Sequence, residues 1–64
     1  MNTGTLFRAR AIKNVFGGDA ITRVAGEVVF VPGVLAGEEF VGRITRVNKD
    51  YARAEVVEIT RRSP

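Results

Sequence analysis

Hydrophobic and polar residues alternate with a period of two along much of this 64-residue chain. The clearest examples are residues 39–47 and 51–59, where apolar residues take every second position. Such alternation is typical of half-buried β-strands, whose successive side chains point to opposite faces of a sheet. No segment longer than about ten residues keeps the apolar stripe of a helix, with its spacings of three and four. The pattern therefore predicts an all-β fold.

Turn residues divide the pattern into five predicted strands, which span residues 6–15, 20–24, 27–31, 39–47 and 51–59. The breaks between them contain Gly17-Gly18, Ala25-Gly26, the loop 32–38 and Asn48-Lys49-Asp50, and residues 60–64 form a polar tail. Five short strands favour a small five-stranded antiparallel barrel, because closure removes unpaired strand edges. An OB-like barrel and an SH3-like barrel fit this spacing about equally well.

The phase of the alternation predicts which side chains form the core. The predicted core consists of large apolar residues on the inward phase, namely Phe7, Phe30, Phe40, Ile44 and Val56. Arg8 and Arg10 face outward on the first strand, and a change of phase near Ile12 indicates a bulge or bend there. Leu35, in the loop 32–38, is expected to plug one end of the barrel.

The composition argues against catalysis. Cysteine and histidine are both absent, so the chain has no thiolate nucleophile, no imidazole acid or base, and no ligands of the usual zinc clusters. The seven acidic residues are scattered along the chain, mostly beside turns or on alternate strand positions, and form no obvious acid and base pair. We therefore expect a non-enzymatic domain without a metal or cofactor.

Length and hydropathy set the organisation of the chain. Sixty-four residues correspond to one domain, for which we predict an ordered core over about residues 5–60. No apolar run approaches the ~18 residues of a membrane span, and the amino terminus lacks the apolar segment of a secretory signal. We expect a cytoplasmic monomer that does not associate with membranes.

Basic residues and two aromatic residues provide a candidate binding surface. The net charge is +3, and arginine, which binds phosphate in bidentate fashion and stacks on bases, supplies most of the cations. Phe16 and Tyr51 lie in or beside predicted loops, where exposed rings are available to stack on nucleic-acid bases. The predicted RNA-binding set is Phe16, Arg43, Arg46, Lys49, Tyr51 and Arg53. The alternative interpretation of its cations is a solvated face offset by Glu55 and Glu58.

A second basic group lies on the first predicted strand and contains Arg8, Arg10 and Lys13. Its relation to the first group depends on how the barrel closes. We rank it below the first group as a binding surface.

Three segments of the chain resemble the TRAM domain, a module attached to RNA uridine-5-methyltransferases and methylthiotransferases. They are GGDAI at residues 17–21, VFVPGVLAGE at residues 29–38 and KDYARAEVVEI at residues 49–59. Ala36 differs from the proline common in the family, and Gly17-Gly18 replaces the usual Gly-x-Gly turn. The methyltransferases continue beyond this module with a cysteine cluster and a methyl-donor domain, so we expect either a stand-alone protein or an amino-terminal piece of a longer one.

The resemblance implies an OB-like barrel that binds tRNA or rRNA and, when tethered, presents it to an RNA-modifying domain. Barrels of this type bind nucleic acid across the second and third strands and through the first and fourth connecting loops. In this chain those loops carry Phe16 and Lys49-Asp50-Tyr51. The alternative function is a protein-docking barrel that attaches to an enzyme or a ribosomal partner by adding a strand.

Overall fold

The computed structural model describes residues 1–62 and consists entirely of strands, turns and loops over that range. Its strands are β1 (Leu6–Arg10), β2 (Lys13–Asn14), β3 (Asp19–Val24), β4 (Glu27–Pro32), β5 (Glu39–Val47) and β6 (Ala52–Arg61). The predicted all-β fold is therefore confirmed. Residues 1–62 also include no helix long and apolar enough to cross a membrane.

All six strands belong to one curled sheet in the order β1-β5-β6-β4-β3-β2. β1 and β2 are the two halves of the predicted first strand, and they pair with β5 and β3 at opposite edges of the sheet. The chain bends between them at Ala11 and Ile12, as the change of phase predicted. The backbone N–H of Ile12 donates to the carbonyl of Ile21 at 2.7 Å, and the Thr22 hydroxyl donates to the carbonyl of Arg10 at 2.7 Å. These bonds hold the bend against β3 and curl the sheet into an OB-like barrel.

The strand pairing differs from the prediction in two respects. There are six strands instead of five, because the bend interrupts the first one. β4 and β6 run parallel, with Val29 opposite Ala52 and Phe30 opposite Arg53, whereas the prediction had only antiparallel pairs. β5 lies between them in sequence and reverses the chain, so that β6 returns in the direction of β4.

The carboxyl-terminal strand is longer than predicted. Thr60 and Arg61 belong to β6 and not to a polar tail, because Arg61 pairs with Glu39 at the start of β5. The rest of the predicted tail includes Ser63 and Pro64, which lie outside the described residues.

The core forms where the inward faces of β3, β4, β5 and β6 meet. Phe40 and Ile44 are fully buried in it, as predicted, while Phe7 and Val56 are partly buried and pack against its margin. The rings of Phe7 and Phe40 meet edge to face with centroids 5.8 Å apart. Gly42 is required beneath them, because a Cβ at this position would lie 2.6 Å from the Phe7 ring.

Two predicted core positions are wrong. Phe30 lies on the outer face of β4 and is only half-buried, because its neighbours Val29 and Val31 take the inward phase and are fully buried. Leu35 does not plug the barrel but is 60% exposed, and Val34 is the buried residue of that loop.

Two polar side chains fix the conformation of this loop. The Asn14 amide donates to the carbonyl of Val34 at 3.0 Å and accepts from the N–H of Ala36 at 2.9 Å. The Glu38 carboxylate accepts from the N–H of Leu35 at 2.7 Å. Together these bonds turn Val34 into the barrel and Leu35 out of it.

Candidate nucleic-acid interface

One row of cross-strand partners crosses the outer face of β2, β3, β4, β6 and β5. Its members, in that order, are Lys13, Ile21, Phe30, Arg53 and Arg46. Direct partners on adjacent strands project from the same face of a sheet. All five side chains are exposed or half-buried, and Ile21, Phe30 and Arg53 alternate along their strands with buried residues. We call this set the outer row; it has cations at both ends and apolar side chains in the middle.

Two arginines are direct neighbours at the β5 end of the outer row. Arg46 on β5 is opposite Arg53 on β6. Like charges directly across two strands destabilise a sheet. Lys49 follows in the turn between these strands, and within residues 1–62 neither Arg46 nor Lys49 forms an ion pair. This end of the outer row is therefore electrostatically suited to an anion.

The middle of the outer row contains a cluster of aromatic rings. The rings of Phe30 and Tyr51 meet edge to face, with centroids 5.4 Å apart and planes at 88°. The guanidinium carbon of Arg53 lies 5.9 Å from the centroid of the Phe30 ring, within the range of a cation–π contact. Tyr51 remains 36% exposed beside this cluster. Its ring is thus held by Phe30 while part of its surface is open to solvent.

Phe16 projects from the turn between β2 and β3 and is fully exposed, with a relative accessibility of 107%. The turn is closed by the N–H of Val15, which donates to the Asp19 carbonyl at 2.9 Å. Gly17 and Gly18 have φ angles of 102° and 96°, a region that side chains other than glycine rarely adopt. The turn therefore displays the Phe16 ring instead of burying it.

An ion pair connects this turn to β6. The Asp19 carboxylate accepts a hydrogen bond from Nη2 of Arg53 at 2.9 Å. The sequence also allows Arg53 to pair with Glu55, two residues along the same strand. Glu55 instead pairs with Arg43 at 3.1 Å, because those two residues are direct partners across β5 and β6.

The predicted RNA-binding residues therefore occupy one side of the barrel, with Arg43 at its margin. Arg46, Arg53 and Tyr51 lie in or against the outer row, and Lys49 lies in the adjoining turn. The Phe16 turn is joined to them through Asp19 and Arg53. Arg43 belongs to the next row, where Glu55 neutralises it.

The second predicted basic group does not stay together. Lys13 is the β2 member of the outer row. Arg8 and Arg10 lie on β1 opposite Val41 and Glu39 of β5, at the other edge of the sheet. The bend between β1 and β2 separates Lys13 from the two arginines.

Three residues of this surface were not predicted from the sequence: Ile21, Phe30 and Asp19. The phase of β4 contained the signal for Phe30, since a strand with two inward valines flanking a phenylalanine must turn the ring outward. Asp19 carries no such signal, because its role depends on a contact with Arg53, 34 residues away. Within the part of the chain that the structure describes, no group of three or more acidic residues is arranged to hold a metal ion.

Comparison with known proteins identifies relatives of this chain. The sequence model of the TRAM domain matches residues 11–57. An uncharacterized RNA methyltransferase of Bdellovibrio bacteriovorus is 39% identical over 61 residues, which are 95% of this chain and 16% of that protein. A 23S rRNA (uracil(1939)-C(5))-methyltransferase of Methylococcus capsulatus is 47% identical over 47 residues, which are 73% of this chain and 11% of that enzyme. The chain thus spans between about a tenth and a sixth of the length of these relatives.

A solved structure has the same fold. The solution structure of a conserved protein from Methanococcus maripaludis superimposes with a TM-score of 0.82 at 33% sequence identity. The match covers 89% of this chain and 81% of that protein.

Proposed function

The chain belongs to the TRAM domain family, and from this premise we propose that it is a non-catalytic module that binds single-stranded or looped RNA along the outer row. The proposed site consists of the cations and rings on that side of the barrel, with Arg43 at its edge. It comprises Lys13, Phe16, Ile21, Phe30, Arg43, Arg46, Lys49, Tyr51 and Arg53.

The observation that carries the proposal is the direct pairing of Arg46 with Arg53 beside a cluster of aromatic rings. Like charges opposite each other on adjacent strands destabilise a sheet, and a phosphate bound at Arg46 and Arg53 would compensate charge that Asp19 offsets only in part. Tyr51, against Phe30, and Phe16, on the β2–β3 turn, supply exposed rings. Cations for the backbone and rings for the bases are the two components of a surface that binds single strands.

The exposed rings also favour unpaired RNA over a duplex. A base can stack on a protein side chain only after it has left its own helical stack, as it does in loops, bulges and single strands. The Phe16 ring stands clear of the barrel, so a base can reach its face without rearrangement of the turn. We therefore propose that the ligand is a loop or single-stranded segment of tRNA or rRNA.

We further propose that in a longer protein the module holds RNA for a methyltransferase domain. The relatives that carry a matching segment are RNA methyltransferases, one of which acts on 23S rRNA. A domain without its own catalytic groups contributes to such an enzyme by raising the local concentration of RNA and fixing its orientation. tRNA and rRNA substrates of this kind are consistent with a cytoplasmic location, and the module itself is proposed to act as a monomer in one domain.

Binding titrations at several salt concentrations test the proposal. A short single-stranded RNA should bind more tightly than a duplex of the same sequence. Three or four phosphate contacts predict a log–log slope of affinity against salt of about −2 to −3 on single strands. The absence of binding to any single-stranded tRNA or rRNA fragment would contradict the proposal. Salt-independent capture of a protein partner would instead support the docking alternative.

A further inference from the structure

Asp19 stands out because it is an acidic residue at the centre of a surface proposed to bind RNA. Its carboxylate would repel a phosphate, and by its charge alone it should weaken RNA binding. Its geometry indicates a different role. The carboxylate bonds Nη2 of Arg53 at 2.9 Å, while the guanidinium carbon stays 5.9 Å from the centre of the Phe30 ring.

We propose that Asp19 is a positioning residue that holds the Arg53 guanidinium against Phe30 in the orientation that binds RNA. The proposal rests on the proposed function of the outer row. In this role the Asp19 carboxylate raises RNA affinity by ordering Arg53, although its charge alone would lower that affinity.

The donor inventory of Arg53 supports this role. A guanidinium has five N–H donors on three nitrogen atoms, and Asp19 occupies Nη2. Within residues 1–62 no hydrogen bond is made by Nε or Nη1 of Arg53. The ion pair and the Phe30 ring together restrain the guanidinium and leave donors for a phosphate or a base.

The anchor itself is rigid. The side chain of Asp19 is 25% exposed, and its backbone carbonyl closes the Phe16 turn by accepting from Val15. Its Cα is also in register with Pro32 on β4. An arginine that is ordered before it binds loses less rotamer freedom on binding, which improves affinity without a new contact. The same bond fixes the Phe16 turn relative to β6.

Glu55 provides a matched comparison. It pairs with Arg43 at 3.1 Å, but its side chain is 53% exposed, and none of the described ring contacts involves Arg43. Asp19→Asn and Glu55→Gln each remove one negative charge and replace one ion pair with at most a neutral hydrogen bond. Only Asp19→Asn should loosen an arginine that is held against a ring.

The decisive experiment measures the affinity of both variants for one single-stranded RNA at 0.15 M salt and above. At about 0.15 M the Debye length is ~8 Å, so only phosphates within about that distance of the substituted residue gain from the lost negative charge, and Glu55→Gln reports the size of that gain. Asp19→Asn should bind about two- to tenfold more weakly than the wild type, the loss expected when one long side chain must be ordered on binding instead of beforehand. Glu55→Gln should bind at least as tightly as the wild type. Asp19→Asn with wild-type or tighter affinity, or equal weakening in both variants, would overturn the proposal.

Two further variants separate positioning from a structural effect. Asp19→Glu keeps the charge and the ability to pair, and should restore most of the affinity. In a chain that already carries Arg53→Ala, Asp19→Asn should cause no further loss of affinity, because its favourable action passes through Arg53 and only the repulsion by its charge remains to be removed. A further loss of affinity in that double variant, or no rescue by Asp19→Glu, would contradict the assignment.

Arg53→Lys provides a test that leaves Asp19 in place should Asp19→Asn fail to fold. A lysine keeps the charge and can pair with Asp19, but it has no planar guanidinium to orient. It should weaken RNA binding about two- to tenfold, because the ammonium cannot present several oriented donors to a phosphate or base. Wild-type affinity in a folded Arg53→Lys protein would overturn the proposal. If the wild-type protein itself fails to bind RNA, it is the proposed function that fails, and not this assignment alone.

Discussion

The two outer faces of this barrel both contain arginines but arrange them differently. On the face made by β1, β5 and the far half of β6, cations stand beside carboxylates: Arg10 is opposite Glu39, which pairs with Arg61 at 3.7 Å. On the outer row, Arg46 is opposite Arg53, which contacts the Phe30 ring and one carboxylate, Asp19. The first arrangement places carboxylates beside Arg10, Arg43 and Arg61, whereas within residues 1–62 Arg46 and Lys49 form no ion pair. The cross-strand register determines which cations have a carboxylate beside them.

β6 contributes residues to both faces, so the two arrangements of charge occur along one strand. Its first residues, Ala52 and Arg53, lie between β4 and β5, while its later residues pair with β5 alone. Arg53 is thereby surrounded by strands on both sides, within reach of Phe30 and Asp19. Glu55 and Glu58 lie further along the strand, next to the cations of β5 and β1. The short parallel pairing of β4 with β6 therefore separates the proposed binding face from the face where carboxylates lie beside the arginines.

The largest effect should come from the core that supports both faces. Phe40→Ala removes a fully buried ring and should lower the free energy of unfolding by about 3–5 kcal/mol, a large part of the stability of so small a domain. Phe30→Ala, in contrast, removes a half-buried ring from the outer face and should cost less stability. Thermal or denaturant unfolding of both variants checks the difference. Equal losses would mean that Phe30 is part of the core.

Removal of the exposed ring in the β2–β3 turn should have the next largest effect, on binding and not on folding. Phe16→Ala should lower the affinity for single-stranded RNA by about 1–3 kcal/mol, the contribution of one stacked base. The slope of affinity against salt should stay unchanged, because stacking releases no counterions. Leu35→Ala is a suitable control, since Leu35 is also exposed on a loop but lies outside the proposed site. A loss of affinity in the control that matches Phe16→Ala would move the site.

Removal of a cation should change the salt dependence of RNA binding, whereas removal of a ring should not. Arg46→Ala should weaken binding to all RNAs to a similar degree and flatten the log–log salt slope by about 0.7 for each phosphate of a single strand that the variant no longer neutralises. Arg8→Ala removes the same charge from the other face, where Arg8 on β1 is opposite Val41 on β5, and Val41 is opposite Glu58 on β6. The salt slope of RNA binding for Arg8→Ala should remain that of the wild type. Identical slopes in the two variants would show that the faces do not differ in function.

The smallest effect should come from the hairpin turn between β3 and β4, which belongs to neither face and should affect stability alone. Ala25 has a φ of 53° and Gly26 a φ of 82°, the arrangement of a turn in which both central residues have positive φ. Asparagine tolerates this region better than alanine, so Ala25→Asn should raise the free energy of unfolding by about 0.5–1 kcal/mol. A melting temperature a few degrees higher, with RNA affinity unchanged, would fit this expectation. A lower melting temperature would show that the turn does not favour asparagine.

The sequence predicted the strands well because their alternation is a local signal. The ends of the predicted strands lie within one or two residues of the observed ones, and Phe40, Ile44 and the bend near Ile12 are as expected. The alternation did not show which of Leu35 and Val34 is buried. Which of the two enters the barrel depends on hydrogen bonds from Asn14 and Glu38, and not on periodicity.

The candidate site was only partly predictable for a related reason. Its cations and Tyr51 are visible in the sequence as a cluster around the β5–β6 turn, and Phe16 is visible beside Gly17-Gly18 in the β2–β3 turn. The contributions of Phe30 and Asp19 require the parallel register of β4 with β6, which joins residues distant in sequence. Whether an arginine is compensated likewise depends on its cross-strand partner, which is why Arg43 and Arg46 differ although they are three residues apart.

The most direct test of the binding face is an amide NMR titration of the wild-type domain with a short single-stranded RNA. The shifts should be largest along the outer row and in the Phe16 turn, at Ile21, Phe30, Arg53 and Gly17, and in the β5–β6 turn at Lys49. Residues of the opposite face, such as Arg8, Val41 and Glu58, should change little. Shifts concentrated on that opposite face, with the outer row unaffected, would contradict the account.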